Sequence, residues 1–295
     1  MKTQPFNEIT IIGPGLIGSS LGLALRDLKI VKSIVGIDKS KKNLSDAVKI
    51  GSIDEGRKII DSRIEKSELI FLCTPVSTID ELVRVVINFS KKNTIISDVG
   101  SVKKIFKPST IKLASKKCHL VPGHPIAGTE HTGAKFASKQ LFQNKWCIIT
   151  PINKNKKPIN IISEIWKNIG MKISIMSQEE HDKIMSITSH LPHLIAFTIV
   201  GTAFDINVKK KLFNFSAGGF RDFTRIGSSD PKMWTDIFLK NKKHIIKTLN
   251  NFSYDLEKIK SHIIKNEYEK IFNLLKRTKE IRKGILNVEK KIKKN

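Results

Sequence analysis

A chain of 295 residues with 40% hydrophobic composition is long enough for one or two domains with a sizeable core. Its formal net charge is +26, yet only 8 of its 53 basic residues are arginine, and the lysines are spread along the whole chain. With no recognition-helix or RNA-binding signature, that charge reads as solvated lysine faces and no nucleic-acid partner is expected; what survives is a positive field that attracts small polyanions. No uninterrupted run of 18 apolar residues occurs, so neither a membrane-spanning helix nor a membrane partner is expected. The start, MKTQPFNEITIIGPG, passes directly into a strand-like run without a signal peptide's apolar stretch. Cys73, Cys118 and Cys147 stand singly, which suits a cytoplasmic location and gives no zinc or disulfide framework.

Taken in chain order, the first half alternates strand and helix signals, the pattern of a parallel sheet covered on both faces. EITIIG (8–13) is a β-branched run, followed by a helical pattern from Leu16 to Leu28. SIVGID (33–38), ELIFLCTP (68–75), NTIISDVG (93–100), HLVPGHP (119–125), KWCIITP (145–151) and MKISIM (171–176) continue the strand series. After about Gln178 the texture changes. Leu191, Leu194, Ile195 and Thr198 recur at helical spacing, and from Asp230 onward the signals are mostly helical. The expected boundaries are therefore an α/β dinucleotide-binding domain over 1–176 and an all-helical domain over 177–295. The terminal charge run NVEKKIKKN is expected to fray.

IIGPGLIGSS places Gly13, Gly15 and Gly18 in G-x-G-x-x-G spacing between a strand and a helix, the context that gives the motif meaning. Gly13 allows the tight turn, Gly15 lets backbone approach a pyrophosphate, and Gly18 lets helix and strand pack closely. The helix start at Leu16 and Ile17 offers free amides to phosphates. Asp38 ends the second strand twenty residues after Gly18, where a carboxylate accepts ribose hydroxyls and repels a 2′-phosphate; NAD is expected over NADP, moderated by Lys39 and Lys42. Thr74 and Pro75, ending a later strand, fall on the nicotinamide side. The bland alternative is that the glycines only turn the chain and Asp38 only ends a strand.

Four further stretches are unusual for pure structure. SDVGSVK (97–103) places Ser101 at a strand's carboxyl end, where open α/β sheets bind ligands. GHPIAGTEHTGAK (123–135) is too polar and glycine-rich for core and holds His124, Thr129 and Glu130. EEHDKIMSITSHLPHL (179–194) contains His181, His190 and His193, and GGFRDFTRIGSSDPKMW (218–234) contains Arg221, Arg225 and Trp234. With GPGLIGSSL, these segments in this order resemble the prephenate and arogenate (cyclohexadienyl) dehydrogenases of tyrosine biosynthesis, over about Ile9 to Phe238. Against that family, neither a fused chorismate mutase segment before the first strand nor a regulatory domain after residue 290 is expected.

The resemblance implies an N-terminal Rossmann domain, an all-α substrate and dimerisation domain, NAD as cofactor, a homodimer, and oxidative decarboxylation of prephenate, with arogenate also accepted. It implies His124 as base or hydrogen-bond acceptor for the ring hydroxyl, with Ser101 sharing that bond. Arg225 is then the carboxylate anchor, Thr129 and Glu130 are pocket wall, and Glu130 also gates the pocket or orients a partner. His181, His190 and His193 are supporting or substrate-contacting residues, and Trp234 packs near Arg225. A neutral imidazole and an arginine fork suit those two tasks. Structural readings stand beside these. His124 could be a strand-end histidine bonded to backbone, Ser101 could cap a helix starting near Val102, and Arg225 could pair with Asp222 or Asp230, with Arg221 the likelier ion-pair residue. His190 and His193 could be satisfied structural histidines; His131 reads as pocket rim. Three histidines without an H-E-x-x-H pattern predict no metal. The competing functions are a β-hydroxyacid dehydrogenase or imine reductase of similar architecture, and a non-enzymatic NAD sensor or nucleic-acid protein.

Overall fold

A computed structural model describes residues 6–129, 131–205 and 217–294, with side chains to residue 285. Strands β1 (Phe6–Ile12), β2 (Val31–Ile37), β3 (Glu55–Arg57), β4 (Leu69–Leu72), β5 (Ile95–Asp98) and β6 (His119–Leu120) form one parallel sheet in the order β3-β2-β1-β4-β5-β6. Helices α1 (Leu16–Asp27), α2 (Lys41–Lys49), α3 (Ile79–Phe89) and α4 (Pro108–Lys117) connect them. Alternate strand residues feed opposite faces. Ile9, Ile11, Leu69 and Phe71 join one core with Leu21, Leu25 and Trp166. Ile12, Ile70 and Leu72 join the other with Val83 and Val86. Burial on both faces explains the near-continuous apolar runs of the strands.

The structure corrects the expected strand series in three ways. β3 was not visible in the sequence, because EGR carries no apolar alternation. The run 119–125 is two strands, not one: β6 stays in the main sheet, and β7 (Gly123–Pro125) leaves it. β7 pairs antiparallel with β8 (Trp146–Ile149), which pairs parallel with β9 (Lys172–Ile175), so the last strands build a second, three-stranded sheet instead of extending the first. Pro122, between β6 and β7, lacks the N–H that a continuing ladder would need, and its carbonyl accepts from Thr150 N instead. That departure aims His124 across from Ile148.

α5 (Lys156–Asn168) covers the first core through Ile162, Ile165 and Trp166. The helical part begins with α6 (Gln178–Met185), runs through a π turn at Ser186–His190 and continues as α7 (Leu191–Asp205). Helices Gly218–Thr224, Pro231–Lys240 and Lys242–Ile264 follow, then Tyr268–Lys294. The chain resolves into two compact units, 1–245 and 246–295. In the second unit Tyr254, Leu256, Ile263, Ile264, Tyr268 and Leu275 are exposed. The charged tail expected to fray is helical to Lys294. The membrane expectation also needs correcting: 178–205 is one helical run of 28 residues, long and apolar enough by length and composition alone to cross a membrane. It nevertheless buries His181, Asp182 and His190 in polar contacts within the first unit.

Gly18 and Gly22 explain how closely α1 lies on the sheet. A Cβ at Gly18 would stand 2.4 Å from Gly13 O, and one at Gly22 would stand 2.2 Å from Ser52 O. Backbone cannot yield as a side-chain tip can. Gly22→Ala is therefore expected to cost about 1–3 kcal/mol of overpacking, which lowers Tm by about 3–10 °C in a unit of this size. An unchanged Tm on thermal melting would contradict the close approach.

Candidate functional site

The glycine loop stands at the carboxyl edge of the sheet. Gly13 adopts φ +85° and a Cβ there would lie 2.8 Å from Cys73 O, so the turn accepts no side chain. At Gly15 a Cβ would meet nothing within 4 Å, leaving the space in front of the helix open. Gly15 is the N-cap of α1 with no side-chain cap; its N–H bonds to Gly13 O, and the first turn at Leu16 and Ile17 is partly exposed. Helix-start amides without acceptors suit an anion. Asp38 sits at the end of β2, its Oδ1 accepting from Ser40 N at 2.8 Å and its Oδ2 from Asn43 Nδ2 at 3.1 Å. A carboxylate with one bond per oxygen retains acceptor capacity for two hydroxyls. Thr74 packs its methyl against Gly13, and Pro75 opens the short turn before α3. These residues fit a dinucleotide with an unphosphorylated ribose.

Beside this loop, along the same edge, a polar cluster is built around buried charges. Asp98 ends β5, and its Oδ2 accepts from Gly100 N at 2.8 Å and from Lys103 Nζ at 2.5 Å. Lys103 also donates to Gly123 O at 2.5 Å, and both ionic side chains are 0% exposed. The ammonium thus ties the Ser101 turn to the residue preceding His124. Ser101 is partly exposed, and no helix begins at Val102: the next one starts at Pro108 with Lys107 as its N-cap. The capping alternative for Ser101 is excluded by that geometry.

His124 is 9% exposed. Its Nδ1 lies 2.8 Å from His181 Nε2, and His181 Nδ1 lies 2.8 Å from Asp182 Oδ1. Asp182 in turn accepts from the main-chain N–H groups of Lys103 at 2.8 Å and Lys104 at 2.9 Å. His181 is fully buried behind His124, so of its two expected roles burial favours the supporting one over contact with a ligand. Burial above all, then the charges of His181 and Lys103, hold the His124 imidazole well below its ordinary pKa; burial also lowers His181, opposed by its bond to Asp182. Among the described residues no hydrogen bond occupies His124 Nε2.

His190 continues the network. Asn241 Nδ2 contacts Asp182 O at 2.8 Å and His190 Nδ1 at 3.1 Å. In an unbroken α-helix nine residues would place His190 about 180° from His181; the extra residue of the π turn removes about 100° of that. His190 packs edge-on to Trp234, and His193 stacks flat on the same indole with centroids 3.7 Å apart. His193 Nδ1 donates to Ser189 O at 2.9 Å, and its pKa is lowered by burial and, to a lesser degree, by the charge of Arg225. Arg225 is exposed and, like Arg221, has no ion pair among the described residues, so the alternative pairing of Arg225 with Asp222 or Asp230 does not form, nor does the ion pair read for Arg221. Trp234 borders His193, and Arg225 is near enough for its charge to act on that ring.

The loop after His124 turns the other way. Thr129 is exposed and its hydroxyl accepts from His131 N at 3.2 Å; Glu130 lies outside the described residues. His131 stacks on Phe136, and Gly133 faces Asn43 of the ribose corner. The sequence reading missed the buried Asp98–Lys103 pair, the role of Asp182, and Asn241. The first two were in view, as D and K within SDVGSVK and D within EEHD; nothing in the sequence signalled that a distant asparagine would close the network.

Known families match this chain along nearly its whole length. A model described as the nucleotide-binding domain of prephenate dehydrogenase matches residues 21–175, and one described as its dimerisation domain matches 177–277. The chain is 33% identical over 285 residues to a prephenate dehydrogenase of Bacillus subtilis, covering 96% of this chain and 77% of that one. It is 33% identical over 282 residues to a cyclohexadienyl dehydrogenase of Zymomonas mobilis, covering 94% and 95%. The solved structure of a prephenate dehydrogenase from Aquifex aeolicus, in complex with hydroxyphenyl propionate and NAD+, superposes with a TM-score of 0.88 at 34% identity, covering 96% of this chain and all of that one.

The buried histidines make stability depend on pH. His124, His181, His190 and His193 all bind protons less readily folded than unfolded, and burial takes His190 to about 4. Between the folded values and the unfolded value near 6.5 the unfolded chain holds more protons, so stability is complete above pH 6.5 and lost as pH falls. His190 alone contributes about 3 kcal/mol over its window. Tm is expected to be level from pH 8 to 7 and lower by about 4–8 °C at pH 5. A Tm that holds or rises toward pH 5 would contradict the neutral, buried state of the cluster.

Proposed function

Because the chain belongs to the prephenate dehydrogenase family, we propose that it oxidises prephenate with NAD, releasing CO2 and forming 4-hydroxyphenylpyruvate, and that it also accepts arogenate to give tyrosine. The observation that carries this reading is His124. It is a buried neutral imidazole, held on Nδ1, with Nε2 uncommitted, at the same sheet edge as the glycine loop.

NAD supplies the hydride acceptor. The chain does the rest by holding and orienting groups. His124 Nε2 takes the hydroxyl proton of the ring as hydride leaves the carbon bearing that hydroxyl. The electrons of the bond to the departing carboxylate fill the ring as CO2 leaves, and the proton returns from His124 to the phenolic oxygen. Ser101, on the turn fixed by Asp98 and Lys103, shares the hydroxyl hydrogen bond. Arg225 holds the carboxylate end, with Trp234 and His193 beside it as a flat wall. His190 supports Trp234 and Asn241. Gly13, Gly15, Leu16, Ile17 and Gly18 take the pyrophosphate, Asp38 the ribose, and Thr74 and Pro75 the nicotinamide side.

We divide the chain at 176/177 into an NAD-binding domain and a helical substrate and dimerisation domain. The division at 245/246 into compact units differs because Trp234 and Ile237 of the helical segment join the second core of the sheet. The exposed apolar residues of α7, among them Ile199 and Val200, support a homodimer as their cover. The three single cysteines support a cytoplasmic location.

Two substitutions test the assignment. His124→Asn should lower turnover of prephenate, followed as NADH formation, by more than about tenfold, roughly 1.4 kcal/mol of barrier; a smaller loss removes His124 from the role. Arg225→Ala should mainly raise KM for prephenate with a smaller effect on kcat. An unchanged KM would count against the carboxylate anchor.

A further inference from the structure

The chemistry of the His124–His181–Asp182 chain fixes where its protons are. Asp182 Oδ1 already accepts from Lys103 N and Oδ2 from Lys104 N, and an ionised carboxylate has only acceptors to offer. The 2.8 Å contact between His181 Nδ1 and Asp182 Oδ1 therefore places the His181 proton on Nδ1. A neutral imidazole carries one ring proton, so His181 Nε2 is a lone pair. The 2.8 Å contact of that nitrogen with His124 Nδ1 then requires the proton of His124 to lie on Nδ1. His124 Nε2 is left as a lone pair. Isolated imidazole side chains favour the opposite tautomer, in which Nε2 carries the proton and could only donate.

We propose that His181 and Asp182 are positioning residues that lock His124 in its Nδ1–H form, and that Asp182 couples this choice to the Ser101 turn through the amides of Lys103 and Lys104. This rests on the reading of His124 as the group that accepts the substrate hydroxyl. The same carboxylate sets the acceptor nitrogen of one residue and the backbone leading to the other. Burial keeps both rings neutral, and the ammonium of Lys103 opposes a second proton on either. Asn241 Nδ2, bonded to Asp182 O, holds the start of the chain from the helical side. A histidine pair that served packing alone would have no reason to order its protons toward a single free lone pair.

The decisive observation uses the unaltered protein. In enzyme labelled with 15N-histidine at pH 7.5 without substrate, two-bond 1H–15N correlations separate protonated from unprotonated ring nitrogens, and His124 is assigned by the signal lost in His124→Asn. Nε2 is expected to resonate as an unprotonated nitrogen and Nδ1 as a protonated one; a protonated Nε2 overturns the proposal. Two variants extend the test. His181→Gln retains a carbonyl acceptor for His124 Nδ1–H and should keep kcat within about tenfold. His181→Leu removes it and should lower kcat by more than about 100-fold, on the scale of wrong-tautomer effects in acyl-transfer triads, with the affinity for NAD unchanged. Equal kcat in the two variants would overturn the relay. If His124→Asn retains turnover while the tautomer is as proposed, the base assignment fails and the relay stands.

Discussion

Three hydrogen bonds converge on the carboxylate of Asp182, from the amides of Lys103 and Lys104 and from the ring of His181. Because Asp182 sits on α6 and its amide partners sit at the sheet edge, this one carboxylate fixes the helical segment against the turn that carries Ser101. Its backbone carbonyl is held in turn by Asn241. With a relative exposure of 1%, Asp182 cannot exchange these partners for water. Removing any one donor leaves buried lone pairs without partners, which costs more than the bond itself contributes. The position of His124 follows from that anchor on one side and from the Lys103 bond to Gly123 O on the other.

The electrostatics of the site are local. Net charge of +26 comes mostly from lysines spread over the surface, and at physiological salt such charges are screened beyond about 8 Å. Lys103 is different because it is fully buried and paired with Asp98. Pairing keeps an ammonium tolerable in the interior, where an unpaired one would be costly. Placed beside His124 and His181, it helps to keep both imidazoles neutral. A neutral ring is the form that accepts a proton, so the buried ion pair serves the chemistry as well as the strand ends.

Much of this was legible in the sequence, for identifiable reasons. G-x-G-x-x-G between a β-branched run and an apolar-periodic helix leaves few alternatives, since each glycine answers a separate steric demand, and Gly13 and Gly18 meet those demands here. The parallel sheet was readable because strands buried on both faces are continuous apolar runs. Its far edge was not: Pro122 and Gly123 diverted the chain into a second sheet, and the apolar pattern of residues 119–125 does not record which sheet a strand joins. Among site residues, His124 and Ser101 stood out by type and place. His181 was legible as a histidine and illegible as a buried relay, because exposure depends on how α6 docks. Asn241 lies 59 residues from Asp182 and no local pattern links them.

The central claim is that an imidazole from the sheet edge and a guanidinium from the helical segment face opposite ends of one ring, with the nicotinamide alongside. A crystal structure of this protein with NAD and 4-hydroxyphenylpyruvate tests it most directly. The phenolic oxygen should lie within about 3.2 Å of His124 Nε2, with Arg225 paired to the carboxylate. A ring bound in the reverse orientation, or the two side chains facing separate cavities in every subunit, would contradict it.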